Sequence, residues 1–184
     1  MKKIRIAFVT IFLLALVLTA PLKINADESR SHQNESTTQE RVDYDLPFSG
    51  MLPDNPFYII KKARDHMYIF FTRDHIKKSE LLLKVSDKKI SMAEQLAEKG
   101  KWDLVVETLQ DSQDDCAQML FSMETGQKIG TSPSPELIVI AQTSNEKREE
   151  VMEKLLLDAP EKYQSPIENI IKENIEHYNR LNQL

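Results

Sequence analysis

Downstream of Leu52 the apolar residues recur in steps of three and four, the period of a helix packed on one face. No segment alternates in twos as a strand would. The first predicted helix opens beside Asp54 and Asn55, either of which can cap it. Pro56 then takes the first helical position, where a missing N–H costs nothing. Phe57, Ile60, Met67, Phe70 and Phe71 mark the apolar face of this helix, which ends near Thr72. Asp74 caps a second helix whose stripe runs Ile76, Ser79, Leu83, Ser86, Ile90, Ala93 and Ala97, its small residues admitting a close neighbour. Gly100 supplies the stop. The third helix follows at once through Trp102, Val105, Leu109, Ser112, Cys116, Met119 and Met123. Each of these two is about 25 residues, roughly 38 Å, and so short a join forces an antiparallel hairpin with Trp102 buried at its base.

After a loop at residues 129–135, a fourth helix is expected from about Glu136 to Asp158. Leu137, Ile140, Ala141, Ser144, Val151, Met152 and Leu155 would face inward, and Pro160 closes it. A fifth begins near Ser165-Pro166 and carries Ile167, Ile170, Ile171, Ile175, Tyr178 and Leu181. The expectation is an all-α antiparallel bundle of about five helices built on the long hairpin.

The first 50 residues read differently. Lys2, Lys3 and Arg5 precede an apolar run from Ile6 to Ala20, broken only by Thr10 and Thr19. Ile24-Asn25-Ala26 then gives the small residue at −1 and aliphatic at −3 of a signal peptide cleaved after Ala26. The alternative is an anchor kept at residues 4–22, slightly short of the roughly 20 residues that span a bilayer. Residues 27–50 are polar, without a periodic face until Tyr44, and are expected to be a disordered spacer ahead of a helical domain at 51–184.

Charge narrows the partners. Loss of residues 1–26 removes four basic groups and leaves 20 basic against 29 acidic residues. So acidic a chain argues against nucleic acid, and against anionic lipid for the body of the protein. Membrane contact is then expected only through residues 4–22, if the signal stays. Cys116 is the one cysteine, so no internal disulfide can form and stability must come from packing.

Little chemistry is legible. His66 and His75 sit in the repeated tripeptides Arg64-Asp65-His66 and Arg73-Asp74-His75. On a continuous helix their spacing puts them on opposite sides, so charged groups on solvated faces are expected. His177 and His32 have no ligand-type companion at useful spacing. Asp111, Asp114 and Asp115 could offer oxygen ligands to a divalent cation. No loop completes such a site, and a solvated acidic face is expected. Cys116 falls on the apolar stripe with no base within a turn, the setting of an inert buried thiol. The chain carries no Gly-rich phosphate loop, no Gly-x-Ser-x-Gly and no His-Glu-x-x-His. No enzymatic activity, metal or cofactor is expected.

One block stands out: Leu52, Pro53, Asp54, Asn55, Pro56, Phe57 and Tyr58, then Lys61-Lys62 and Phe70-Phe71-Thr72. It resembles the opening of a bacterial exported helical family known as a domain of unknown function, whose members typically read Leu-Pro-Asp-Ser-Pro-Phe-Tyr there. The resemblance continues through Lys77 to Leu81, the turn from Leu96 to Lys101, Val151 to Leu156 and Pro166 to Ile170. It implies no activity or cofactor. Some relatives lie beside transmembrane regulators of extracytoplasmic-function sigma factors, which implies envelope signalling. In packing terms, Leu52 can staple the first turn while Phe57 and Tyr58 wedge the helix against the hairpin. In functional terms, Leu52, Pro53, Asp54, Pro56, Phe57 and Tyr58 form the candidate interaction motif. The expected function is non-enzymatic, through an unidentified protein or envelope partner. The competing class is a binding module for a divalent cation or small ligand on the acidic face of the third helix.

Overall fold

The computed structural model describes residues 41–184. The signal-peptide and anchor readings, residues 27–40 of the expected spacer, and His32 lie outside them. The described residues form five helices: α1 (Tyr58–Phe71), α2 (His75–Glu98), α3 (Trp102–Lys128), α4 (Pro135–Asp158) and α5 (Glu161–Leu181). No strand occurs among them. The periodicity read from the chain is thus the periodicity of the fold.

The α2–α3 hairpin is the spine, with α4 and α5 laid against it, while α1 has the sparsest approach to the rest. Local chemistry sets the joins. The Asp74 side chain accepts from the backbone N–H groups of Ile76 and Lys77 at 2.9 and 3.0 Å. Gly100, at φ 69°, lets the Lys101 N–H reach back 2.9 Å to the Leu96 carbonyl, and α3 starts one residue later. At the other end, a Cβ on Gly126 would sit 2.7 Å from the Thr131 carbonyl oxygen and 3.3 Å from Ile76 Cδ1. Gly126 thus leaves room for the Thr131 carbonyl of the following loop and lets the side chains that open α2 pack on the end of α3. Ser134 caps α4 through the Leu137 N–H, with Pro135 in the first turn.

Two starts differ from expectation. Pro56 lies in a turn ahead of α1, where Asn55 Oδ1 accepts from the Phe57 N–H at 2.9 Å and Asp54 is drawn elsewhere. α5 begins at Glu161, so Pro166 sits inside the helix, where its missing N–H removes only one early hydrogen bond.

The core is divided. One apolar cluster joins Ile90, Leu96, Val105, Leu109, Met152, Leu155 and Ile167. The other joins Leu82, Leu83, Met119, Leu120, Met123, Leu137, Ala141 and Leu181. Ser86 and Asp87 of α2, Ser112, Gln113 and Cys116 of α3, Ser144, Asn145 and Arg148 of α4, and Asn174 and His177 of α5 are all buried at positions between the two. Four helices thus contribute to one polar layer. Trp102 is half-buried at the base of the hairpin and stacks on Tyr163, ring centroids 6.2 Å apart. Ile140 and Ile175, expected inside, are exposed, because Ser144, Asn145, Asn174 and His177 take the inward face.

Residues 41–50 do not behave as a free spacer. Though irregular, they form a strap along the bundle. The Val42 N–H donates to Glu150, the Tyr44 hydroxyl to Asp87 at 2.6 Å, Ser91 to the Pro47 carbonyl, and Gln95 to Ser49. Leu46 packs against the first cluster. Polar composition hid this, because the strap is held by hydrogen bonds more than by apolar burial.

Candidate functional site

The block from Leu52 to Tyr58 is a clamp at the foot of α1. Leu52 is buried, as a staple should be. Asp54 accepts hydrogen bonds from Lys101 and Lys99 at 2.8 and 3.0 Å, tying the block to the α2–α3 turn. These bonds hold its carboxyl below the usual range. Pro53 is half-buried and Pro56 exposed. Tyr58 is half-buried under the Lys61 ammonium, which lies 5.3 Å from the ring centroid, and burial raises its phenol. Phe57 does not wedge against the hairpin as expected; it is 63% exposed. A polar anchor, Asp54, does what the aromatic was expected to do.

The clamp fixes α1 with its polar side inward. Lys62 reaches Asp111 at 2.7 Å. Tyr58, Lys61, Lys62, Asp65, His66 and Ile69 line a cleft against Val85, Lys88, Lys89, Met92 and Asp115 of the hairpin. Only Ile69 of α1 is buried. Ile59, Ile60, Ala63, Met67, Phe70 and Phe71 are all exposed, Phe70 at 77% and Phe71 at 68%. At about 100° per residue these six fill one continuous arc of about 120° pointing away from the bundle. The apolar face assigned to this helix therefore exists, but it is turned outward. An unbroken apolar arc on the side away from the bundle is the signature of a contact surface.

The aspartates of α3 are neither a solvated face nor a cation site. Lys89 Nζ lies 2.7 Å from Asp115 Oδ2 and donates to the Asp111 backbone carbonyl at 2.7 Å. Asp115 Oδ2 receives no aligned hydrogen bond, so its contact with Lys89 is an ion pair. Burial pushes the Asp115 carboxyl up while Lys89 opposes it. Lysine ammonium groups thus hold the position a divalent cation would need. Asp114 alone of the three is exposed. No group of three or more His, Cys, Asp or Glu among the described residues could hold a metal ion. His66 and His75 lie on different helices, not on opposite sides of one, because the chain turns at Thr72–Asp74.

The polar layer is the feature the sequence concealed. Arg148 is fully buried; it donates to Ser86 at 2.9 Å and lies 3.5 Å from Asp87. Asp87 also accepts from Ser144 and Tyr44, both at 2.6 Å. Arg148 Nε and Nη2 have no hydrogen-bond partner among the described residues. Asn145 and Asn174 bond each other reciprocally, and Gln113 meets His177 Nδ1 at 3.0 Å. Burial, then the charges of Arg148 and Arg180, lower His177 to about 4. Cys116 is fully buried 2.9 Å from Ser86, and burial raises its thiol. The signal that could have exposed this layer was the run of Ser, Asn and His at inward positions of α2 to α5.

The model of a family described as a domain of unknown function (DUF5667) matches residues 50–162, more than half of the chain, and the chain belongs to that family. The matched part opens at the clamp and ends in the first turn of α5. No curated protein and no solved structure is similar enough to count as a match.

Proposed function

We propose that this chain is an exported, non-enzymatic helical protein of the bacterial cell envelope that works by contact through α1, in keeping with the envelope signalling its family resemblance implies. The observation that carries the reading is the outward arc of Ile59, Ile60, Ala63, Met67, Phe70 and Phe71 on a helix whose half-buried Lys61, Lys62 and Asp65 face the hairpin. A chain that only needed stability would turn such a helix over. The basic start, apolar run and Ala26 site support export.

A photo-crosslinking side chain at Ile60, with Leu157 on α4 as the exposed control, tests the contact reading in intact cells. Adducts from position 60 and none from 157 are expected; equal adducts, or none, would sink it. N-terminal sequencing of the exported material tests the leader. A start at Asp27 is expected, and a full-length membrane-bound product would leave residues 4–22 as an anchor.

A further inference from the structure

We infer that the partner of the α1 arc is the interface of an anionic phospholipid bilayer. The inference rests on the contact reading above and names what the arc meets. Overall acidity argued against lipid, but the charge is segregated. Residues 58–89 hold nine basic and four acidic groups, whereas residues 90–184 hold nine basic and eighteen acidic ones. The outward apolar arc thus belongs to the basic part of an otherwise acidic chain.

The basic groups lie where they are needed. Lys88 lines the same cleft as Lys61, Lys62 and His66 of α1. Lys77, Lys84 and Lys88 fall within about 40° of one another around α2, Lys88 in that cleft and Lys84 in a second one, with Glu80 and Glu136, towards the strap and α4. Arg73, Lys77, Lys78, Lys84 and Lys88 have no carboxylate within 4.0 Å among the described residues. Aromatic and aliphatic side chains on one arc, with free ammonium groups on the next helix, are the composition of a surface that lies in a membrane interface. A second copy is a poorer occupant, because pairing two α1 faces would bring two net-basic regions together.

The test uses the full chain reconstituted into vesicles, with Met67→Cys carrying an environment-sensitive fluorophore. Cys116 is buried, so the label is selective. Leu157→Cys is the control, and Trp102 emission reports that each variant is folded. On phosphatidylglycerol vesicles the label at 67 should shift to the blue and be quenched by spin-labelled lipid, while the label at 157 stays water-like. Phosphatidylcholine, raised salt, or Lys77→Glu with Lys84→Glu and Lys88→Glu should each lower that occupancy at least tenfold. Equal protection on both lipids at every salt concentration overturns the inference, as does a label that stays open to an aqueous quencher. Concentration-dependent protection without vesicles assigns the arc to a second copy instead. If lipid gives no protection but position 60 still crosslinks to protein in cells, the lipid inference falls and the contact reading stands. If neither occurs, both fall.

Discussion

α1 and α5 are both strongly amphipathic helices, and they are oriented in opposite senses. α5 buries Ile167, Ile170 and Leu181 in the bundle and leaves Glu168, Lys172 and Glu176 to water. α1 turns Lys62, Asp65 and Tyr58, all half-buried, into a cleft and leaves Ile60, Phe70 and Phe71 outside. The difference lies in what holds each helix. α5 is held by apolar burial near both ends, at Ile167, Ile170 and Leu181, with Asn174 and His177 hydrogen-bonded in the polar layer between them. α1 is held at its foot by Asp54 on Lys99 and Lys101, and along its side by Lys62 on Asp111. A helix fixed by charges can keep its apolar face free for another purpose.

The layer that α4 and α5 share with the hairpin should be the most sensitive point. Arg148→Ala leaves Asp87 without its buried counter-charge and opens a cavity, so a loss of about 3–5 kcal/mol is expected in denaturant unfolding followed by Trp102 emission. Ile170→Ala on α5 should cost about 2–5 kcal/mol in the same assay. Phe70→Ala on α1, removing a larger side chain, should stay within about 0.5 kcal/mol, because that ring is already in water. A large loss at Phe70 would show that the arc is part of the core, and the contrast between the two helices would collapse.

pH sharpens the same contrast. His177 is held neutral near a pKa of about 4 in the fold against its ordinary 6.5. The unfolded chain therefore takes up the proton first. The stabilisation is complete above pH 6.5 and drains away as pH falls towards 4, a loss of about 3 kcal/mol. Comparing the wild type with His177→Gln across that window isolates the effect, and identical slopes would remove it. The strap should give a smaller loss than His177. Tyr44→Phe deletes the hydrogen bond to Asp87 and should cost about 1 kcal/mol, with faster protease cleavage between residues 41 and 50 as the readout.

The helices were legible because their signals are local. Asp74, Gly100, Ser134 and the three-four stripes act within a turn or two of where they stand. The candidate site was only half legible. The block from Leu52 to Tyr58 could be picked out as unusual, and Leu52 as a staple. That Asp54 would reach Lys99 and Lys101, more than forty residues away, depends on how the hairpin turn is placed. The polar layer was illegible for a related reason. Ser86, Arg148 and His177 each read as an ordinary helix position until three helices bring them to one level.

The sequence by itself determined which segments are helices, about where they turn, and that each carries an apolar face. Those outcomes follow from backbone propensity, capping and the period of the apolar residues. Only the tertiary structure decided which way α1 faces, and that Asp111 and Asp115 are occupied by lysines instead of lying open to solvent. Periodicity measures how apolar residues are distributed around one helix axis. Orientation is settled by the competition between that face and long-range ion pairs, and in α1 the pairs of Lys62 with Asp111 and of Asp54 with Lys99 and Lys101 prevail.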